Sequence, residues 1–147
     1  MKIAIANDHV ALGLKLHIAG YLREKGYEVE DLGTDSSERT DYPLFAKKCA
    51  EAVTKKRADL GILICGTGVG MSIAANKRHG IRAVCCSEAY SAKMARQHND
   101  ANILCFGARV IGEATAEEIC DAFLEAGYEG GRHQRRVDMI AEAEREG

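Results

Sequence analysis

A chain of 147 residues is one domain's worth of sequence and, once folded, buries roughly 68–70% of the surface its unfolded form exposes. Twenty Lys and Arg against 22 Asp and Glu leave a net charge of −2, which gives no electrostatic case for nucleic acid or an anionic membrane as partner. No apolar run approaches the ~18 residues of a membrane span, and charge enters the N-terminus too early for a secretory signal, so a cytoplasmic protein is expected.

Short β-like runs alternate with longer helical patterns along the chain, the signature of βαβ units and a parallel sheet. The strand candidates are Ile3–Ala6, Glu28–Leu32, Leu60–Cys65, Arg82–Cys86 and Ile103–Phe106. Fully apolar stretches such as Ile62-Leu63-Ile64-Cys65 fit strands covered on both faces. Helices are predicted near 12–25, 44–56, 69–78, 88–98 and 115–126. The first carries Leu12, Leu16, Ala19 and Leu22 on one stripe and stops at Gly26; the fourth has Ser87 as N-cap. Gly33–Pro43 is a polar stretch of 11 residues closed by the only proline, long enough to suggest a functional loop. Arg132–Glu146 is a charged helical pattern with Val137, Ile140 and Ala141 on one face, expected to pack away from the sheet, on a second subunit. With no linker or repeat, residues 1–147 read as a single α/β sandwich.

Ligands of open parallel sheets bind beyond the carboxyl ends of the strands. That rule selects Asn7-Asp8-His9, the loop from Gly33, Cys65-Gly66-Thr67-Gly68-Val69-Gly70, Cys86-Ser87-Glu88 and Gly107-Ala108-Arg109. Cys65 is the sharpest of these features. Three glycines in the next five residues let backbone N–H groups turn toward a developing negative charge, and a helix N-terminus favours thiolate over thiol. The plainer reading is a buried cysteine beside a tight turn. Asp8 can equally cap the first helix. His98, between the fourth helix and the fifth strand, is expected at the same edge, although a histidine there can simply complement the helix dipole. Arg132 and Arg136, at i, i+4 after Gly130-Gly131, form either a clamp for one dianion or a solvated patch balanced by Glu142, Glu144 and Glu146.

Other loop chemistries fail at named positions. No Lys lies between Gly66 and Asn76, which removes a Walker A loop. Met71 stands where a cysteine phosphatase needs Arg. A dinucleotide fingerprint has its third glycine one residue early, at Gly70, although Glu88 falls where a ribose-binding acid would; a non-catalytic nucleotide-binding module is thus the reading from a different class. The six cysteines contain no C-x-x-C pair; apart from Cys65 they read as small buried hydrophobes, and adjacent Cys85 and Cys86 would point to opposite strand faces.

Five ordered motifs together resemble the ribose-5-phosphate isomerase B family, which includes galactose-6-phosphate isomerase subunits: Asn7-Asp8-His9, Glu38–Pro43, Cys65–Lys77, Arg96–Asp100 and Gly130–His133. The resemblance implies a Rossmann-like three-layer αβα sandwich with five parallel strands in the order 2-1-3-4-5. It also implies a homodimer, or a tetramer made of two such dimers, with sites shared between subunits and the C-terminal helix reaching the partner. The reaction implied is interconversion of an aldose and a ketose phosphate, ribose and ribulose 5-phosphate or a hexose 6-phosphate, without metal or other cofactor. By the same resemblance Cys65 is the base, Thr67 assists proton traffic, and His98 opens the sugar ring. Backbone amides of Gly66, Gly68, Val69 and Gly70 hold the enediolate. Asp8 and Asn99 hold sugar hydroxyls, His9, Arg132 and Arg136 the phosphate, Arg109 makes a further substrate contact, and Tyr42 lines the pocket. Cys65 with Met71 marks the thiolate branch of the family. Ala11, where glycine is usual, is expected to narrow the pocket.

Overall fold

Four apolar runs and one acidic edge strand, Glu28–Asp31, pair into one parallel sheet in the computed structural model, which describes residues 1–147. The strands are β1 (Lys2–Asn7), β2 (Glu28–Asp31), β3 (Leu60–Cys65), β4 (Ala83–Cys85) and β5 (Ile103–Gly107). The helices are α1 (Leu12–Glu24), α2 (Tyr42–Thr54), α3 (Val69–Ala75), α4 (Ala89–Asn99), α5 (Glu113–Glu125) and α6 (Arg132–Glu146); a short 3-10 turn, His9–Ala11, leads into α1. No helix is long and apolar enough to cross a membrane.

Strand alternation splits the core into two layers. Ile3, Ile5, Ile62, Ile64, Leu104 and Phe106 face α1, α4 and α5; Ala4, Ala6, Leu63, Cys65, Ile103 and Cys105 face α2 and α3. The three-layer sandwich is therefore present. Its strand order is not the expected one: the sheet runs β2-β1-β3-β5-β4. Polarity and length explain the exchange. β5 is buried at all five positions and pairs on both sides, whereas the three residues of β4 grade from buried to exposed and suit an edge. The Asn76 side chain closes part of that edge, donating to the Ala83 carbonyl at 2.9 Å and accepting from the Ala83 N–H at 2.8 Å.

Local expectations are mostly met, with three informative differences. Gly26 at φ 95° follows α1, with Gly26 N–H on Arg23 O and Tyr27 N–H on Leu22 O, a Schellman termination. The buried face of α1, however, is Lys15, Ile18, Ala19 and Leu22, and Leu16 is exposed. The cap of α4 is Glu88, whose carboxylate accepts from Ser91 N–H at 2.9 Å, and not Ser87; the Ser91 hydroxyl and then its backbone N–H hold Glu88 below the usual carboxylate range. Ala11 is fully buried among Ile3, Ile5 and Ile18, so its methyl faces the core and does not narrow a pocket.

Candidate active site

Cys65 ends β3, and the chain then turns back over the end of β5. Gly68 makes this turn possible, at φ 85° with its Cα so close to Phe106 that an added Cβ would lie 2.8 Å from backbone. Gly107 returns the closeness, since a Cβ there would meet Thr67 at 2.5 Å. The folded loop brings Gly68 N–H to the Cys65 sulfur at 3.1 Å, while Thr67 Oγ1 accepts from Val69 N–H at 3.2 Å. Gly70 is the seat for Tyr42, whose ring lies 2.7 Å from where a Cβ would stand. Above Gly66 lie Arg109 and Val10. The thiol is nearly buried, 5% exposed, yet it sits at the sheet edge under a backbone donor and not within hydrocarbon.

Asp8 and His9 enter the same edge from β1. Asp8 Oδ1 accepts from Val10 N–H at 3.0 Å and Ala11 N–H at 3.2 Å, so Asp8 does cap the first turn; Oδ2 takes neither bond. His9 N–H donates to Thr40 Oγ1 at 3.2 Å, and Thr40 N–H donates to His9 Nδ1 at 3.1 Å. Thr40 is a contact that residue-by-residue reading of the loop does not reveal. Nor does it reveal Cys85, which is exposed and whose sulfur lies 3.6 Å from the Thr67 carbonyl; burial of its sulfur and proximity to Cys65 push its thiol up. Asp8, His9, Tyr42, Cys65 to Gly70 and Arg109 thus converge at the carboxyl edge.

His98 and Asn99 do not join them within the chain. Helices of a parallel sheet run back against the strands, so the end of α4 lies at the amino edge. There the Asn99 and Asp100 carbonyls accept from Arg82, just before β4. Six residues of β3 separate the two edges, about 17 Å at ~3.3 Å per residue. His98 meets a second group instead. Its ring stacks on His133 with centroids 4.2 Å apart and planes 12° from parallel. Both Nε2 atoms face Glu129 Oε1, at 3.7 Å from His98 and 3.5 Å from His133. Burial, then His98 and Arg132, hold His133 below the usual histidine value. Arg132 and Arg136 are exposed beside this pair and form no ion pair in the chain, while Glu144 is engaged with His79 and Gly80 N–H. The histidines and Glu129 carry donor atoms within 4.8 Å of one another, the spacing of a metal site. Stacked rings, however, direct their in-plane lone pairs along parallel planes, so one ring would have to turn before both could reach one ion.

A thiol under a backbone donor at the carboxyl edge of a parallel sheet, with two unpaired guanidinium groups on the exposed start of α6, marks an α/β enzyme for a small anionic substrate. The chain belongs to the family described as Ribose/Galactose Isomerase, whose sequence model matches residues 3–140. It is 60% identical over 143 residues to ribose-5-phosphate isomerase B of Escherichia coli K12, covering 97% of this chain and 96% of that protein. The structure of Clostridium thermocellum ribose-5-phosphate isomerase B superposes with a TM-score of 0.98 at 53% identity, covering 99% of each chain. Ribose-5-phosphate isomerase B of Mycoplasma genitalium, solved with bound ribulose 5-phosphate, gives a TM-score of 0.94 at 46% identity over 99% of this chain and 97% of that one.

Proposed function

We propose that the protein interconverts ribose 5-phosphate and ribulose 5-phosphate through a cis-enediolate, with Cys65 as the base. The observation that carries this reading is the Cys65 sulfur held 3.1 Å from Gly68 N–H in a loop of glycines. Starting from the open aldose, the thiolate removes the C2 proton and the electron pair moves onto O1. The enediolate then takes that proton back at C1, while the Thr67 hydroxyl passes the O2 proton to O1. The Gly66 and Gly70 N–H groups, not engaged by side chains of the loop as those of Gly68 and Val69 are, stabilise the oxyanion; one such donor is worth roughly 2.7–4 kcal/mol in related chemistry. Asp8 Oδ2 is free to accept a sugar hydroxyl, Tyr42 walls the pocket against Gly70, and Arg109 reaches the substrate over Gly66.

Ring opening and phosphate binding need groups that one chain keeps at its other edge. We therefore assign each site to two copies of the chain. One supplies the thiol, Asp8 and His9, and its partner supplies His98, Asn99, Arg132 and Arg136. Exposed apolar side chains beside the thiol loop, Leu44, Val69 and Ile73 with Tyr42, suit burial against a second copy. Met139 and Ile140 remain exposed on α6, consistent with that helix reaching across. Six free cysteines suit the reducing cytosol.

Purified protein mixed with ribose 5-phosphate should yield ribulose 5-phosphate. Cys65→Ala should slow turnover by about 10²–10⁴, the usual contribution of a general base. Undiminished turnover in that variant would remove the base assignment.

A further inference from the structure

Lys15 is the only lysine or arginine of the chain removed entirely from solvent. A long charged side chain is almost never buried without paired partners, because desolvating its ammonium outweighs the packing gain. Here Nζ donates to Asp31 Oδ2 at 2.6 Å, to the Thr34 carbonyl at 3.2 Å and to Asp35 Oδ1 at 3.2 Å, which occupies all three donors. Thr34 and Asp35 belong to the long polar loop, so the buried charge grips that loop and not merely the sheet. Nothing in the proposed chemistry uses Lys15.

The same loop is attached again at Thr40, which accepts from His9 N–H through Oγ1 and donates its N–H to His9 Nδ1, with Oγ1 also 3.4 Å from that nitrogen. Between these anchors Ser36 N–H donates to Thr34 Oγ1 at 3.1 Å and Glu38 N–H to Ser36 Oγ at 3.0 Å, stiffening the span. Both anchors stand on one rigid piece, since the turn that begins at His9 runs directly into α1, which carries Lys15. A backbone N–H can only donate. The bond from Thr40 therefore requires Nδ1 of His9 to be unprotonated, and the neutral ring keeps its proton on Nε2.

We propose that Lys15 is a positioning residue that, through loop residues 34–40, holds His9 in the Nε2–H form and so presents an N–H donor to the phosphate monoester of the substrate. The proposal rests on the reading of His9 as a phosphate ligand. With the loop released, Nδ1 loses its backbone partner and the two neutral tautomers interchange. A fraction of the rings then offers a lone pair to the anion in place of a donor.

The test is long-range proton–nitrogen NMR of the His9 ring, with initial-rate kinetics on ribose 5-phosphate, for the parent, Lys15→Met, and a Ser36→Gly/Ser37→Gly double variant. The parent should show the Nε2–H tautomer alone and Lys15→Met a mixture. KM should rise by the inverse of the fraction of rings left in the Nε2–H form, about twofold for an even mixture, with kcat little changed. The glycine variant lies on exposed loop and should fold even if Lys15→Met does not; it should show the same changes more weakly. An Nε2–H ring that persists in every folded variant overturns the proposal whatever the kinetics. Mixed tautomers with an unchanged KM keep the restraint but refute the phosphate role of His9. A parent without isomerase activity refutes the function, while the tautomers still decide what Lys15 holds.

Discussion

Cys65 and His133 show how a single side chain takes its chemistry from its surroundings. Four other cysteines are buried in apolar layers, and burial pushes the Cys49 and Cys86 thiols up to about 12 and about 11. Cys65 belongs to the same buried class by exposure, but Gly68 N–H points at its sulfur, and that donor sets it apart from the other buried thiols. Cys65→Ser keeps the hydrogen-bonding capacity but replaces the thiol by a far weaker acid, so its kcat should fall toward that of Cys65→Ala with KM much less affected; single-turnover rates check this. For His133 the sign of the pH effect follows from its depressed proton affinity. The unfolded chain binds this proton more readily than the folded one, so stability is complete above the ordinary histidine range. It is lost as pH falls below about 6.5 and levels off only below the folded value. Denaturant midpoints for His133→Gln between about pH 7 and pH 5 should decline less steeply than those of the parent. A slope equal to the parent's would assign the acid sensitivity to other groups.

Among the elements, the turn from β3 to α3 is the most constrained. Two glycines touch the backbone of a neighbouring segment, and Gly68 also needs the left-handed region of backbone space. Gly68→Ala should cost roughly 1–3 kcal/mol in strain and displacement, read as a lower urea midpoint, together with loss of isomerase activity. Gly20→Ala is the matching control, because a Cβ there meets nothing within 4 Å and the position lies inside α1, so stability should hold or rise by up to about 1 kcal/mol. The run Cys65-Gly-Thr-Gly-Val-Gly was legible as an anion cradle because glycine spacing is a local property. The strap of residues 33–41 was legible only as an unusually long loop. Its attachment to Lys15 and His9 lies outside any local pattern: Lys15 occupies a helix position where a lysine ordinarily faces water.

For the whole molecule, the separation of Cys65 from His98 by the length of a strand means that, on the proposed assignment, a second copy must complete each site. A two-fold pair of chains should hold two sites, each with one thiol and the other chain's imidazole. Cys65→Ala and His98→Asn variants, each inactive alone, should therefore complement one another. Equal mixing with subunit exchange should restore about a quarter of parental activity, since half the pairs are mixed and each mixed pair rebuilds one intact site of two. No recovery after demonstrated exchange would place the imidazole and the thiol in the same chain's site.

Local sequence determined the strands, most helix limits, the two-sided burial of the sheet and the inventory of reactive groups, because periodicity, glycine placement and capping act within a few residues. Strand order, the edges at which groups gather and the pairing of Lys15 with a distant loop were decided by packing. β5 is inserted beside β3 because it can be covered on every side and β4 cannot. His98 lies at the amino edge because a helix following a parallel strand must run back before the chain can enter the next one. These are relations between segments far apart in the chain, and no residue pattern within one segment encodes them.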